Sequence, residues 1–310
     1  MRALVTGASG CLGRALVEQL ETHGWDVCTT ARRPVALPGF QAADLVDADL
    51  TPLLAGVDVV FHCAALSSAW GSRQQFHDAN VRATERLVTA SEQLGVKRFV
   101  FASSPSIYAD GSDRLNLPET APLPPQPMSL YAESKLAAER IVLSHRGEMG
   151  CTAIRPRAIY GSFDRALLPR VIHTLRHGRV PMIRGGRALI DLTHRHDAAR
   201  AMILAASGQR GGVWNITSGE AFRFRDLVAM IAQRGGLQLR TLPLPHALAR
   251  GLADLSEWVA HARNGAEPRL TRQAVASLGS SLTLDISAAR RDLGYRPRVR
   301  FEEGSAECFA

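Results

Sequence analysis

Tyr131 and Lys135 are four residues apart in Tyr131-Ala132-Glu133-Ser134-Lys135. On a helix they share one face, a single turn from each other. An ammonium beside a phenol lowers the phenol's pKa from its ordinary value of about 10. A tyrosine tuned in this way can hand a proton to a carbonyl oxygen or take one from an alcohol near neutral pH. Two solvated residues on an ordinary helix would have the same spacing, so the surrounding elements decide the reading. A second hydroxyl source lies upstream, where the apolar strand Arg98–Ala102 runs into Ser103-Ser104-Pro105-Ser106. Open α/β sheets place their ligands at the carboxyl ends of such strands, and a serine there can bond a substrate oxygen.

The elements that must position these groups begin at the first residues. Arg2–Thr6 reads as a short buried strand that runs into Gly7-Ala8-Ser9-Gly10-Cys11-Leu12-Gly13 and then a helical pattern through Leu20. Strand, glycine-rich turn and helix N-terminus together hold a dinucleotide pyrophosphate: the glycines allow a tight turn and close approach, and the helix supplies N–H groups and its positive dipole end. Ser9, Cys11 and Leu12 belong to the same expected contact. The next strand, Asp26–Thr30, ends in Ala31-Arg32-Arg33 rather than in a carboxylate. Two guanidinium groups suit a 2′-phosphate, so NADP(H) is expected over NAD(H); solvated loop arginines are the alternative. Asp44-Leu45 is placed to meet the adenine. Val57–Ala65 has the apolar run of a buried parallel strand, and its small residues Ala64 and Ala65 let a cofactor lie against the backbone. His62, within it, reads as a packed histidine. A helix is expected over Gln74–Leu94, and the proline-rich loop Leu117–Met128 would shape one wall of a substrate cleft.

The totals narrow the class. With 310 residues and 46% hydrophobic content the chain can build one or two domains around a large core. Its +8 charge is spread along the chain rather than gathered in a basic arm, which disfavours nucleic acid as a partner. The five scattered cysteines lack metal-ligand spacing and read as reduced thiols. No signal-peptide pattern and no apolar run long enough for a transmembrane segment is seen, so a cytoplasmic protein without a metal is expected.

Taken in order, Gly7-x-x-Gly10-x-x-Gly13, Asp44-Leu45, His62-x-Ala64-Ala65, Asn80, Ser103-Ser104, Tyr131-x-x-x-Lys135, Arg155-Pro156-x-x-Ile159-Tyr160-Gly161, Val213–Gly219 and Leu293-Gly294-Tyr295-x-Pro297 resemble the extended short-chain dehydrogenase/reductases over nearly the whole chain. Ala69–Ser72, Pro156-Arg157 and Leu167–Arg170 are similar to the 3β-hydroxysteroid dehydrogenase-like branch and, within it, to the reductases of 2-alkyl-3-oxo acids. The resemblance implies an α/β fold: a Rossmann-type doubly wound parallel sheet with a smaller C-terminal α+β substrate domain. The expected division is 1–162 with 188–217 returning to the sheet, against 163–187 and 218–310. It implies Ser104, Tyr131 and Lys135 as the catalytic trio, with Ser104 preferred over Ser103 for its place four before Tyr108. It further implies Lys135, Asn80 and Pro156 at the cofactor, Ser67, Trp70, Pro105, Ser106 and Arg157 at a small-molecule carbonyl or alcohol substrate, and a homodimer. Ala109 departs from the family, which has glycine after Tyr108.

The expected activity is NAD(P)H-dependent reduction of a ketone, a 3-oxo acid or 3-oxosteroid-like substrate, with Tyr131 as general acid. One alternative is a sugar-nucleotide epimerase recycling bound NAD, which Arg32 and Arg33 fit poorly. A dehydratase needs acids where Pro105 and Ser106 stand. Another alternative, a non-catalytic NADP(H)-sensing protein, is disfavoured by the intact trio.

In the second half, Leu167–His177 and Phe222–Arg234 read as helices, and Arg187–Asp197 as a return toward the sheet anchored by Asp191 and Asp197. Pro243–Ala262 is amphipathic, with Leu248, Leu252, Leu255, Trp258 and Val259 at helical spacing. Core packing of the second domain is the expected use of that face; an apolar substrate wall or a membrane-surface contact is the alternative. Arg269, Arg272, Arg290 and Arg291 are expected in solvent, with binding of a substrate carboxylate or diphosphate as the other possibility.

Overall fold

The computed structural model describes residues 1–165, 168–208, 211–262, 268 and 270–309. Seven strands form one parallel sheet: β1 (Arg2–Thr6), β2 (Asp26–Ala31), β3 (Phe40–Ala42), β4 (Val59–His62), β5 (Arg98–Ala102), β6 (Gly150–Pro156) and β7 (Gly212–Ile216), in the order β3-β2-β1-β4-β5-β6-β7. The chain therefore runs outward from β1 in both directions, and the crevice beside β1 and β4 is the switch point where such sheets bind dinucleotides. Both faces are covered, which is why the central strands are apolar without interruption. Ala3 and Val5 of β1 pack with Ala15, Leu16 and Leu20 of helix α1 (Cys11–Thr22), whereas Leu4 between them packs on the other face with Leu87 and Val88 of α2 (Ala83–Gln93) and Ala138 and Val142 of α3 (Leu130–Ser144). The alternation is the two-residue period of a strand. Helix α4 (Arg195–Ser207) lies beside α1, contributing Ala198, Met202 and Ala205 to the first of these cores.

The helix expected over 74–94 is present but not uniform. Ser72 caps it, accepting from the Gln75 N–H, while the Gln75 side chain accepts from the Ser72 N–H. Arg73–Phe76 is α-helical, His77–Arg82 is a π-helical turn, and α2 follows. Such π turns commonly mark functional sites, and this one carries Asn80.

Four of the remaining strands form a smaller sheet, and two further pairs, Ile159–Tyr160 with Thr193–His194 and Val180–Ile183 with Thr241–Leu244, stand apart from it. Ala221–Arg223, Leu189–Asp191, Leu282–Leu284 and Arg114–Leu117 pair in that order, with the first pair antiparallel and the others parallel. Residues 189–191 thus belong to this smaller sheet. Return to the large one begins at Thr193-His194, paired with Ile159-Tyr160, and continues through α4 into β7. Asp191 accepts from the Leu284 N–H at 2.7 Å, and Asp197 from the Arg298 and Val299 N–H groups at 3.0–3.1 Å, so both are structural anchors. The helices expected near 167–177 and 222–234 run over Leu168–His177 and Phe224–Arg234; Leu167, and Arg269 farther on, lie outside the described residues.

Helices α5 (His246–Ala262) and α6 (Arg272–Gly279) complete the C-terminal part. Here one expectation is overturned. Leu248, Leu252, Leu255 and Trp258 are 45–68% exposed, and the face of α5 that meets the protein is made of Ala249 and Ala253 against Ile183 and Val275. The helix packs closely through small side chains and turns its large ones outward. Arg272 is held at the surface by Asp254 at 2.5 Å and Glu257 at 3.5 Å, and Arg291 by Asp292 at 2.8 Å. Among the described residues no helix is long and apolar enough to cross a membrane.

Candidate active site

The glycine turn fits a dinucleotide closely. Gly7 sits at φ +65°, a conformation costly for other residues, and a Cβ there would meet the Ala64 N at 2.6 Å. A Cβ on Gly13 would meet the Gly7 carbonyl oxygen at 2.4 Å. Helix α1 then starts at Cys11 with Gly10 as its N-cap and no side chain bonded across its first turn. The Gly10 N–H donates to the Gly7 carbonyl at 3.0 Å, which closes the turn in front of the helix. Arg32 and Arg33 are exposed just past β2, and Asp44 is exposed beside the buried Leu45. Asp44 accepts from the Val46 N–H at 3.0 Å, which shapes this turn.

His62 is fully buried and its bonds run as a chain. The Ala64 N–H donates to Thr6 Oγ1 at 3.2 Å, and the Thr6 hydroxyl donates to His62 Nδ1 at 2.7 Å. On the other side His62 Nε2 donates to Thr84 Oγ1 at 3.0 Å, and the Thr84 hydroxyl donates to the Asn80 carbonyl at 2.6 Å. Burial holds this imidazole neutral, with its pKa pushed down to about 3. The packed reading of His62 is correct, and its work is to tie β1, β4 and the π turn together behind Ala64 and Ala65. Asn80 is 1% exposed. Its Oδ1 accepts from the Leu66 N–H at 2.6 Å, and its Nδ2 donates to the Leu66 carbonyl at 3.2 Å and to Ser134 Oγ at 2.9 Å. The amide fixes the loop after β4 against α3.

Helix α3 carries the tyrosine in its first turn. Ser129 caps it, accepting from the Ala132 N–H at 3.1 Å. The hydroxyls of Ser104 and Ser67 lie near enough to the Tyr131 phenol to act on its titration. Ser104 also accepts from the Ser106 N–H at 3.2 Å and donates to Ser106 Oγ at 3.0 Å, within the short turn Pro105–Tyr108. Ser103, by contrast, is buried away from the phenol, its N–H donating to the Ile154 carbonyl at 2.7 Å. Ala109 has φ −69° and ψ 130°, open to any residue, so the absence of glycine there is without cost.

Lys135 is 2% exposed; its Nζ donates to the Ala102 carbonyl at 2.5 Å and lies 4.0 Å over the Phe101 ring. Burial pulls its pKa down to about 7, with Cys63 and Glu139 acting the other way. The Tyr131 phenol is shifted upward: burial dominates, and the hydroxyls of Ser104 and Ser67 offset it in part. The expectation that Lys135 lowers this phenol is corrected, because the ammonium is bonded to the end of β5 and desolvation is the largest influence on the tyrosine. A phenol so placed is protonated at neutral pH and able to donate.

Behind the trio is a feature that the sequence motif did not disclose. Arg155 of β6 donates from Nε to Glu139 at 2.8 Å and bonds the same carboxylate through Nη2 and the Tyr108 hydroxyl through Nη1. This buried pair joins α3, one turn past Lys135, to the sheet. Glu139 is four residues beyond Lys135, so the helical spacing carried the signal.

A small cleft of about 40 Å³ opens beside Ser106, between Met128-Ser129, Arg157, Gln273 and Ser280-Ser281. Arg157 Nε and Gln273 Oε1 are buried without a hydrogen-bond partner among the described residues. Burial lowers the Arg157 pKa, with Asp191 opposing, and raises that of Asp191 to about 6. Ala158, next to Arg157, has φ +42°, a strained conformation of the kind that collects at working sites. Pro156 is buried at the end of β6, Pro105 is buried behind Ser104, and Trp70 is half-buried with its N–H donating to Ser68 Oγ at 3.0 Å.

The chain is similar to known proteins over nearly its whole length. Residues 3–217 match the NAD dependent epimerase/dehydratase family. A 4-hydroxy-2-methyl-3-oxo-4-farnesyl-3,4-dihydroquinoline-1-oxide ketoreductase from Stigmatella aurantiaca is 35% identical, covering 98% of this chain and 94% of its own. A 3-beta-hydroxysteroid dehydrogenase from Mycolicibacterium neoaurum is 31% identical over 99% and 90%, and a 2-alkyl-3-oxoalkanoate reductase from Stenotrophomonas maltophilia 32% over 98% and 97%. Among solved structures, MoeE5 in complex with UDP-glucuronic acid and NAD aligns with a TM-score of 0.79 at 31% identity, covering 99% of this chain and 97% of that one.

Proposed function

The chain belongs to the NAD dependent epimerase/dehydratase family, among the extended short-chain dehydrogenase/reductases, and we propose that it reduces a ketone bearing an acidic group with NADPH. The observation that carries the reading is the buried Tyr131 phenol, held protonated by burial with the Ser104 hydroxyl near it, in a chain whose glycine turn admits close backbone approach.

When bound, the nicotinamide supplies the hydride. The rest falls to this chain. The glycine turn and α1 hold the pyrophosphate, Ala64 and Ala65 give the nicotinamide a backbone wall, and Lys135 meets the ribose. Arg32 and Arg33 meet a 2′-phosphate. The ketone oxygen lies between Ser104 and Tyr131, where two hydroxyl donors stabilise the developing negative charge. Tyr131 then gives its proton, and the Ser67 side is open for resupply from solvent. Arg157, in the cleft beside Ser106, binds a carboxylate of the substrate, which favours a 3-oxo acid over a 3-oxosteroid.

The likeness to MoeE5 favours a second reading, a sugar-nucleotide epimerase with a resident NAD. The experiment that separates them is oxidation of NADPH and of NADH by the purified protein with a 3-oxo acid, a 3-oxosteroid and a UDP-keto sugar. Turnover of NADPH with the 3-oxo acid supports the proposal. No turnover, together with NAD carried through purification, supports the epimerase.

A further inference from the structure

Helix α5 presents its large apolar side chains to the outside. At about 100° per residue, Ala247, Leu248, Gly251, Leu252, Leu255, Trp258, Val259 and Ala262 occupy one arc of about 140° with no charged residue inside it. Leu248, Leu252, Leu255 and Trp258 are 54%, 45%, 58% and 68% exposed. Leu239 and Leu242, on the segment leading into the helix, are 49% and 44% exposed. Six of the ten large exposed apolar side chains among the described residues therefore fall between positions 239 and 258. Single exposed leucines are ordinary, but a contiguous patch of this kind marks a contact surface.

We propose that this face docks the protein on the surface of a bilayer with acidic headgroups. Three observations favour that occupant over a second copy of the chain. The protein carries +8, which attracts it to an anionic leaflet and makes two copies repel. The acids of α5 are compensated, since Asp254 at the border of the arc and Glu257 on the opposite side of the helix both hold Arg272. A flat-lying helix with an uncharged apolar face and a tryptophan near one end has the form of an interfacial helix, not of a spanning one. The arrangement also has a use. Helix α6 packs on α5, with the Ser256 hydroxyl donating to the Leu270 carbonyl at 2.6 Å and the Arg272 N–H to Glu257 at 2.7 Å. Its residues Gln273, Ala276 and Ser277 line the cleft, so docking would put the cleft one helix away from lipid.

The test uses the full chain in flotation with phosphatidylcholine vesicles with and without one-third phosphatidylglycerol. The protein is expected to float with the anionic vesicles and to lose that binding at high salt. Leu252→Glu/Leu255→Glu should weaken partitioning by about a hundredfold or more, about tenfold per buried leucine, with the melting temperature unchanged. As an independent readout in the unaltered protein, fluorescence should be quenched by brominated lipid, and Trp258→Phe should remove that quenching. No flotation with anionic vesicles overturns the proposal. So does a dimer in sedimentation velocity that the double variant dissociates, because the face then belongs to a second copy.

Discussion

Gly13 and Gly251 are both helical glycines, and alanine is preferred over glycine within a helix by about 1 kcal/mol. Propensity alone therefore predicts that Gly13→Ala and Gly251→Ala stabilise alike. The structure separates them. A Cβ at Gly251 meets nothing within 4 Å, whereas one at Gly13 lies 2.4 Å from the Gly7 carbonyl oxygen and 2.7 Å from Ala8 Cα. Ordinary contact begins near 3.4 Å, so the glycine turn would have to move by about 1 Å, and the obstacle is backbone that cannot rotate aside. Overpacking of this kind costs about 1–3 kcal/mol, which outweighs the propensity gain. Gly251→Ala should raise stability by up to about 1 kcal/mol, and Gly13→Ala should lie about 1–3 kcal/mol below it. A displacement of about 1 Å in a positioning element costs about a hundredfold, so kcat/KM for NADPH should fall by that factor in Gly13→Ala and stay level in Gly251→Ala. Urea unfolding and NADPH titration measure both. A Gly13→Ala protein as stable as Gly251→Ala and with full NADPH affinity would refute the reasoning that this glycine is required by close approach.

Other consequences follow from single residues. Arg32→Glu/Arg33→Glu should reverse cofactor choice, raising KM for NADPH by at least about tenfold per guanidinium–phosphate contact while leaving NADH usable; equal effects on both cofactors would show that these arginines are only solvated. Arg157→Ala should raise KM for an acidic ketone by roughly ten- to a hundredfold, the scale of a hydrogen bond to a charged group, with little change for a neutral ketone of the same size. His62 has a folded pKa of about 3, below its unfolded value, so between these limits the unfolded chain binds more protons and stability is lost as pH falls. Between pH 7 and pH 5 the loss from this residue is about 2 kcal/mol. A His62→Gln protein should have a shallower pH dependence of unfolding over that range, and an identical slope would contradict the assignment.

What could be read from the sequence is what local chemistry dictates. The glycine turn was legible because tight turning and close approach admit few residues, and its strand and helix flank it directly. The sheet was legible because continuous apolar runs alternate with helical periods, a pattern that parallel strands require. The choice of Ser104 beside Tyr131 rested on strand ends and family spacing. Effects set by tertiary burial were not legible. The direction of the Tyr131 shift depends on how far the phenol is desolvated, and the spacing to Lys135 says nothing of that. The bonds by which Asn80 ties Leu66 to Ser134 span the fold, and no local pattern announces them. The periodicity of 248–259 shows that one face of α5 is apolar, yet periodicity cannot say which face turns inward; the alanines opposite took that role. The Arg157–Gln273 cleft joins residues more than a hundred positions apart, and only the folded chain brings them together.

The central claim is that Tyr131 donates the proton that completes ketone reduction. Its most direct test is single-turnover oxidation of NADPH by the wild type and by Tyr131→Phe with a 3-oxo acid, with NADPH binding measured alongside. The account predicts unchanged NADPH affinity and a rate lower by about a hundredfold or more, the scale of a positioned general acid. A Tyr131→Phe protein that reduces the ketone at a near-normal rate would contradict it.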